Sequence, residues 1–260
     1  MSKRKPNHHR NKRKSAVSGN ADKGLPLIYG AHAVRAALQN EKRRIKALFV
    51  TQNAAHELAE PIARRHLQAT IKTAAELAQL LPADAVHQGM VLDCEPLPPV
   101  SLADAAQGGQ PIVLLDQVSD PRNVGAILRA AAVFGAAAVI VTKRNSPPAS
   151  GTLAKTAVGA LEVVPLIEVT NLARALEELH KLGYMSVGLD EGGETLIGDV
   201  SKDRPLAVVM GAEGPGLRRL TRETCDMLAR LPVADNAAGE AFATLNVATA
   251  AAVTLFAIGQ

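Results

Sequence analysis

An apolar run that stops abruptly at a polar turn constrains this chain more than any other stretch. Ile112, Val113, Leu114 and Leu115 follow one another without a polar position and end at Asp116. Alternate side chains of a strand point to opposite faces, so such a run fits a strand that is covered on both sides. Asp120 and Pro121 break it. Beyond them Val124, Ile127, Leu128 and Ala131 recur at helical spacing behind Asn123, a good opening residue, so 123–134 reads as a helix with Arg129 inside its pattern. A strand joined to a helix by a short polar turn is the repeating unit of parallel sheets, which take ligands at the carboxyl ends of their strands.

The unit recurs along the chain. Strand 138–141, helix 152–160, strand 163–167 and helix 171–182 follow, the last opened by Asn171 and ended by Gly183. Strands at 185–189, 206–210 and 228–231 and an apolar helix over 245–258 complete the C-terminal part. A smaller alternation precedes it, with strands at 27–30, 45–50, 69–72 and 89–93 and helices at 31–39, 54–66 and 74–81. Stiff Glu95-Pro96-Leu97-Pro98-Pro99 and flexible Gln107-Gly108-Gly109-Gln110, with a short helical piece between them, separate the two. The expected organisation is an α/β fold in two domains, 25–96 and 110–260, with a linker over 97–109 and a basic tail over 1–24.

The charge belongs to that tail. Residues 1–24 hold eight basic residues against Asp22 alone, a net +7, which leaves −3 for the remainder of a chain whose total is +4. A slightly acidic body is not a basic nucleic-acid binder by composition, whereas the cluster from Lys3 to Lys14 suits a disordered arm that condenses on polyphosphate. No apolar run is long enough to span a bilayer, and no apolar leader follows the basic residues. Cys94 and Cys225 are too few for a disulfide framework or a Cys-rich zinc site, and the histidines are scattered singly, so the reading is a cytoplasmic protein with no metal.

Three loops fall at carboxyl ends of strands: 116–123, the glycine-rich Gly211-Ala212-Glu213-Gly214-Pro215-Gly216, and 232–246. Taken singly, each is explained by a turn or a helix cap. The glycine loop does not match Gly-x-Gly-x-x-Gly, and no Gly-Lys-Ser/Thr or Gly-x-Ser-x-Gly occurs, which argues against NAD, ATP and serine-hydrolase chemistry.

Together they carry a resemblance. Asp120-Pro-Arg-Asn-Val-Gly-Ala-Ile-Leu-Arg129, Val209-Met-Gly-Ala-Glu-Gly-Pro-Gly-Leu217, and Leu231-Pro232 with Thr244-Leu-Asn-Val247 resemble, in order, the three motifs of the SpoU/TrmH group of SPOUT RNA methyltransferases. Ile28-Tyr-Gly-Ala-His-Ala-Val34 and Ala85-Val-His-Gln-Gly89 extend the likeness to the first domain, and with it to the large-subunit rRNA enzymes of the group. The resemblance implies a ribosomal-protein-like RNA-binding domain followed by an α/β domain tied in a deep trefoil knot. It further implies a homodimer, S-adenosylmethionine as cofactor, and ribose 2′-O-methylation, with guanosine of 23S rRNA or a large-subunit precursor as the leading substrate. Gly211, Leu231 and Leu245 would contact the cofactor, with Gly214, Pro232 and Thr244 enclosing it. Arg129 would grip the target phosphate or hydroxyl, Glu213 would hold its guanidinium, and Asn123 and Asn246 would line the site. Motif 3 reads Thr244-Leu245-Asn246-Val247-Ala248 where the group commonly has Ser-Leu-Asn-Val-Ser. A tRNA substrate and a non-catalytic RNA-binding assembly factor stay open as alternatives.

Overall fold

The computed structural model describes residues 27–144, 151–232 and 245–259. The basic tail, residues 145–150 and residues 233–244, Thr244 among them, lie outside the described residues. The expected knot depends on the path of 233–244 and is likewise outside them.

The first sheet has four strands, β1 (Ile28–Tyr29), β2 (Ile45–Val50), β3 (Ala69–Ile71) and β4 (Met90–Cys94), in the order β1-β4-β2-β3. β4 runs antiparallel to β1 and β2, and β2 runs parallel to β3. Helices α1 (Ala31–Gln39), α2 (Gln52–Glu57), α3 (Ala59–Arg64) and α4 (Ala74–Ala78) pack around it. The single helix expected over 54–66 is two, because Pro61 has no N–H and its ring would meet the carbonyl of Glu57. The break falls at Leu58, which is fully buried and anchors both pieces.

The second sheet is parallel throughout its described pairings. Its strands are β5 (Ile112–Asp116), β6 (Ala138–Thr142), β7 (Leu166–Val169), β8 (Met185–Leu189), β9 (Thr195–Leu196), β10 (Leu206–Gly211) and β11 (Met227–Arg230), in the order β7-β6-β5-β10-β8-β11-β9. The helices are α5 (Leu102–Ala106), α6 (Pro121–Val133), α7 (Gly151–Thr156), α8 (Leu172–Lys181), α9 (Arg219–Thr224) and α10 (Val247–Gly259). One face of the sheet, with Val113, Leu115, Val139 and Val208, packs on α6, α7 and α10. The other, with Ile112, Leu114, Ile140 and Val209, packs on α5 and α8. Both faces are buried against apolar side chains, which is why the strands read as continuous apolar runs.

Several boundaries differ from expectation for local reasons. The stretch 97–109 contains α5, capped by Ser101, and its Leu102 and Ala105 are buried against the second sheet. Val158 (φ 52°) and Gly159 (φ 90°) follow α7, and a 3-10 turn over Ala160–Glu162 delays β7 to Leu166 rather than 163. β9 and α9 are too short to show a period, so the sequence pattern does not reveal them. Among the described residues no helix is long and apolar enough to cross a membrane.

Candidate active site

Gly211 of β10 lies opposite Asp116 of β5, so the turn after β5 and the glycine loop after β10 leave the sheet side by side. The strand order changes direction there, with β6 and β7 on one side and β8, β11 and β9 on the other. Such a switch point opens a crevice at the carboxyl edge.

The first turn passes Gln117 in the left-handed region (φ 62°) and enters α6 at Asp120. The cap is Asp120, whose carboxylate accepts from the Arg122 N–H at 2.8 Å, with Pro121 at the first helical position. Asn123 is therefore not the cap and its side chain is free to face the second loop. That loop closes tightly: the Gly216 N–H donates to the Ala212 carbonyl at 3.0 Å, and Gly214 and Gly216 supply positive φ on either side of Pro215. It carries Glu213 outward.

Asn246, just before α10, uses its side-chain oxygen to accept from the Ala248 N–H at 2.9 Å. Its Nδ2 donates to Glu213 Oε1 at 2.5 Å and to Asn123 Oδ1 at 3.2 Å. Asn123 Nδ2 donates to the same Glu213 oxygen at 3.2 Å. Three segments distant in sequence thus meet on one carboxylate, and among the described residues Glu213 Oε2 is left to accept from something else. Within the described residues of one chain Arg129 is exposed and makes no hydrogen bond or ion pair, with Glu213 or with any other residue.

Of the expected cofactor residues, Gly211 ends β10 and Gly214 lies in the turn that follows it, while Leu231 and Pro232 follow β11 and Leu245 leads into α10. Leu231 is half-buried against the core and Leu245 is half-exposed. A Cβ at Gly214 or Gly216 would meet nothing within 4 Å, so this backbone can be approached by a ligand. Gly211 is different. A Cβ there would lie 2.3 Å from the carbonyl carbon of Gly216 and 2.5 Å from the Leu217 nitrogen, so the residue is needed for the loop to close. Gly211→Ala should destabilise the protein by about 1–3 kcal/mol as well as weaken cofactor binding. Thermal unfolding in parallel with a binding titration checks this, and an unchanged melting temperature would refute the packing role.

Two residues that sequence spacing did not single out tie the loops together. Asp116 is fully buried, and it accepts from the Arg218 backbone N–H at 2.9 Å and from Arg218 Nε at 2.6 Å. A charged residue ending an otherwise apolar strand is the signal that marks it. Nearby Cys225 is pushed up to about 12, first by burial and then by the charges of Asp226 and Asp116. In the native protein its thiol should react with an alkylating reagent at pH 8 at least about a hundredfold more slowly than a free cysteine, because the thiolate is the nucleophile. Comparison of native and unfolded protein measures it.

Ser186, His180 and Asp226 also meet, but not as a hydrolytic triad. His180 Nε2 faces both Ser186 Oγ (2.7 Å) and Asp226 Oδ2 (3.2 Å), so the carboxylate does not orient the ring through its other nitrogen. Ser186 is fully buried, and its backbone N–H also donates to Asp226 at 2.7 Å. The cluster pins β8 to the start of β11.

Residues 110–256 match the SpoU rRNA Methylase family and residues 27–100 match the RNA 2′-O ribose methyltransferase substrate-binding domain. The chain is 39% identical over 242 residues to the 23S rRNA (guanosine-2′-O-)-methyltransferase RlmB of Pseudomonas putida, covering 89% of this chain and 95% of that one. Against the RlmB of Vibrio vulnificus the identity is 40%, covering 88% and 94%. The AdoMet-bound rRNA methyltransferase from Sinorhizobium meliloti superposes with a TM-score of 0.74 at 25% identity, over 89% of this chain and 85% of that one. AviRb from Streptomyces viridochromogenes shares the fold, with a TM-score of 0.74 at 23% identity over 91% and 89%. Two domains matched in order, and Asn123, Glu213 and Asn246 gathered at the switch point of a parallel sheet, lead to one assignment: the chain belongs to the SpoU rRNA methylase family.

Proposed function

We propose that this chain transfers a methyl group from S-adenosylmethionine to the ribose 2′-hydroxyl of a guanosine in 23S rRNA. The observation that carries the reading is the Asn123–Glu213–Asn246 cluster at the switch point of a chain in this family. The activity named for the Pseudomonas and Vibrio relatives, about 40% identical across nine-tenths of the chain, supports the substrate. The cofactor is supported by the relative from Sinorhizobium, whose structure has AdoMet bound.

The bound cofactor would supply a methyl group on a positively charged sulfur. Gly211, Leu231 and Leu245 would hold it, largely through backbone, with Gly214, Pro232 and Thr244 around it. A ribose hydroxyl is a poor nucleophile, so the protein must align its oxygen and favour loss of its proton. A guanidinium holds its own protons too firmly to serve as an ordinary base. Arg129 would instead grip the neighbouring phosphate and the hydroxyl, stabilising the developing oxyanion as the hydroxyl proton passes to that RNA phosphate, while Asn123, Asn246 and the open oxygen of Glu213 orient the ribose.

In our reading the site is completed in a homodimer. Arg129 and Val133 are one helical turn apart on the solvent face of α6, and Val133 is 76% exposed. Phe256 and Val253 of α10 are 53% and 39% exposed, and Phe256 sits edge-on to Phe134 at 6.1 Å. A second copy would cover this apolar face, and Arg129 would then be free to act in the partner's site. Cys94 and Cys225 are unpaired, in keeping with a cytoplasmic enzyme. The test is a map of ribose methylation in the rRNA of a deletion strain. One 2′-O-methylguanosine should vanish from 23S rRNA and return with the wild-type gene; an intact 23S map with a lost tRNA methylation would overturn the substrate.

A further inference from the structure

Arg43 and Glu162 stand 119 positions apart and meet at the junction of the two domains. Their side chains are only 8% and 5% exposed. Arg43 donates through Nη2 to Glu162 Oε1 at 2.7 Å and through Nε to Oε2 at 3.2 Å, a two-pronged pair. Its remaining Nη1 donates to the Glu95 carbonyl at 2.8 Å, and Asn40 Nδ2 donates to Glu162 Oε2 at 2.8 Å. Arg65 supports the same corner from behind, through the Asn40 and Arg43 carbonyls. Around this polar centre Ala154 and Leu161 of the catalytic domain pack into the core of the first domain. Lys155 Nζ lies 5.9 Å from the Tyr29 ring centre, and a Cβ on Gly159 would come within 2.5 Å of Ala36 Cβ.

An apolar patch would have sufficed for adhesion, since a buried ion pair adds little stability over apolar residues of similar volume. What a forked pair adds is direction: two parallel bonds fix rotation as well as distance. We infer that Arg43 and Glu162 are positioning residues that hold the RNA-binding and catalytic domains as one body. They thereby fix the span between the surface that grips rRNA and the site of methyl transfer, and so select the nucleotide that is methylated. This rests on the rRNA methylation reading above. Loss of the pair lets the domains rock, so the ordering that folding has already done must be done again at each RNA encounter.

The experiment compares full-length wild type with Glu162→Asp, Glu162→Gln and Glu162→Ala, using labelled methyl donor, 23S rRNA and a map of every methylated ribose. Cofactor affinity should stay within about twofold of wild type, while KM for rRNA rises about tenfold, from lost preorganisation, with kcat at saturation nearly kept. Methylation should spread to neighbouring nucleotides. Glu162→Asp, which keeps the charge, should fall between wild type and Ala, and Glu162→Gln serves if Ala does not fold. An unchanged KM and an unchanged map in folded Gln or Ala variants would overturn the inference. So would a loss of cofactor affinity in step with kcat, which would make the pair a general stabiliser. A wild-type enzyme that methylates no rRNA would instead refute the functional reading.

Discussion

Arg129→Lys should bind S-adenosylmethionine with unchanged affinity, melt at the wild-type temperature and lose about 10²–10³-fold in turnover, the loss typical of one removed oxyanion donor. The structure separates these effects. Arg129 is exposed on α6 and makes no hydrogen bond or ion pair among the described residues, so its replacement removes no bond from the described fold. Lys keeps the positive charge, so long-range attraction to RNA persists and KM should change little. It cannot reproduce a planar fork that engages phosphate and hydroxyl together. Single-turnover methyl transfer at saturating RNA measures the loss, and a near-wild-type rate would make Arg129 an ordinary surface cation. If the site draws on two copies, mixing Arg129→Lys with Asn246→Ala should restore part of the activity that neither has alone.

The second large effect is on stability and is asymmetric. Arg218→Ala removes the counter-charge from Asp116, which is fully buried and would keep only the backbone N–H of residue 218. An isolated buried carboxylate costs about 3–5 kcal/mol. Asp116→Ala leaves Arg218, whose side chain is 45% exposed and can turn to water, so its cost is smaller, about 1–3 kcal/mol for the orphaned N–H. At about 2–4 °C per kcal/mol for a chain of this size, the melting temperatures should rank wild type, Asp116→Ala, Arg218→Ala. Both should weaken cofactor binding, because the clasp holds the glycine loop to the end of β5. Equal melting temperatures for the two variants would show that burial of Asp116 does not govern the clasp.

What could be read from the chain beforehand divides along physical lines. Ile112 to Leu115, Ala138 to Val141 and Leu206 to Met210 announced the parallel sheet because both its faces are apolar and each strand then reads as an unbroken run. The glycine loop announced itself because positive φ at Gly214 and Gly216 admits few other residues. Local competition was harder to read: Asp120 takes the cap from Asn123 because its carboxylate reaches the Arg122 N–H and Pro121 is preset for the first helical turn. Long-range pairing left almost no trace. Asp116 with Arg218 and Arg43 with Glu162 are joined across more than a hundred positions, and no periodicity connects them. The resemblance implies that Glu213 holds the Arg129 guanidinium; that Asn123 and Asn246 also share its carboxylate within one chain is seen only in the fold.

The most direct test is a product analysis with the purified wild-type chain, methyl-labelled S-adenosylmethionine and a 23S rRNA transcript or precursor particle. After complete digestion to nucleosides, the label should appear in 2′-O-methylguanosine from a single position, and Asn123→Ala and Glu213→Ala should each reduce it sharply. Label in a base, in tRNA alone, or in no RNA at all would contradict the account.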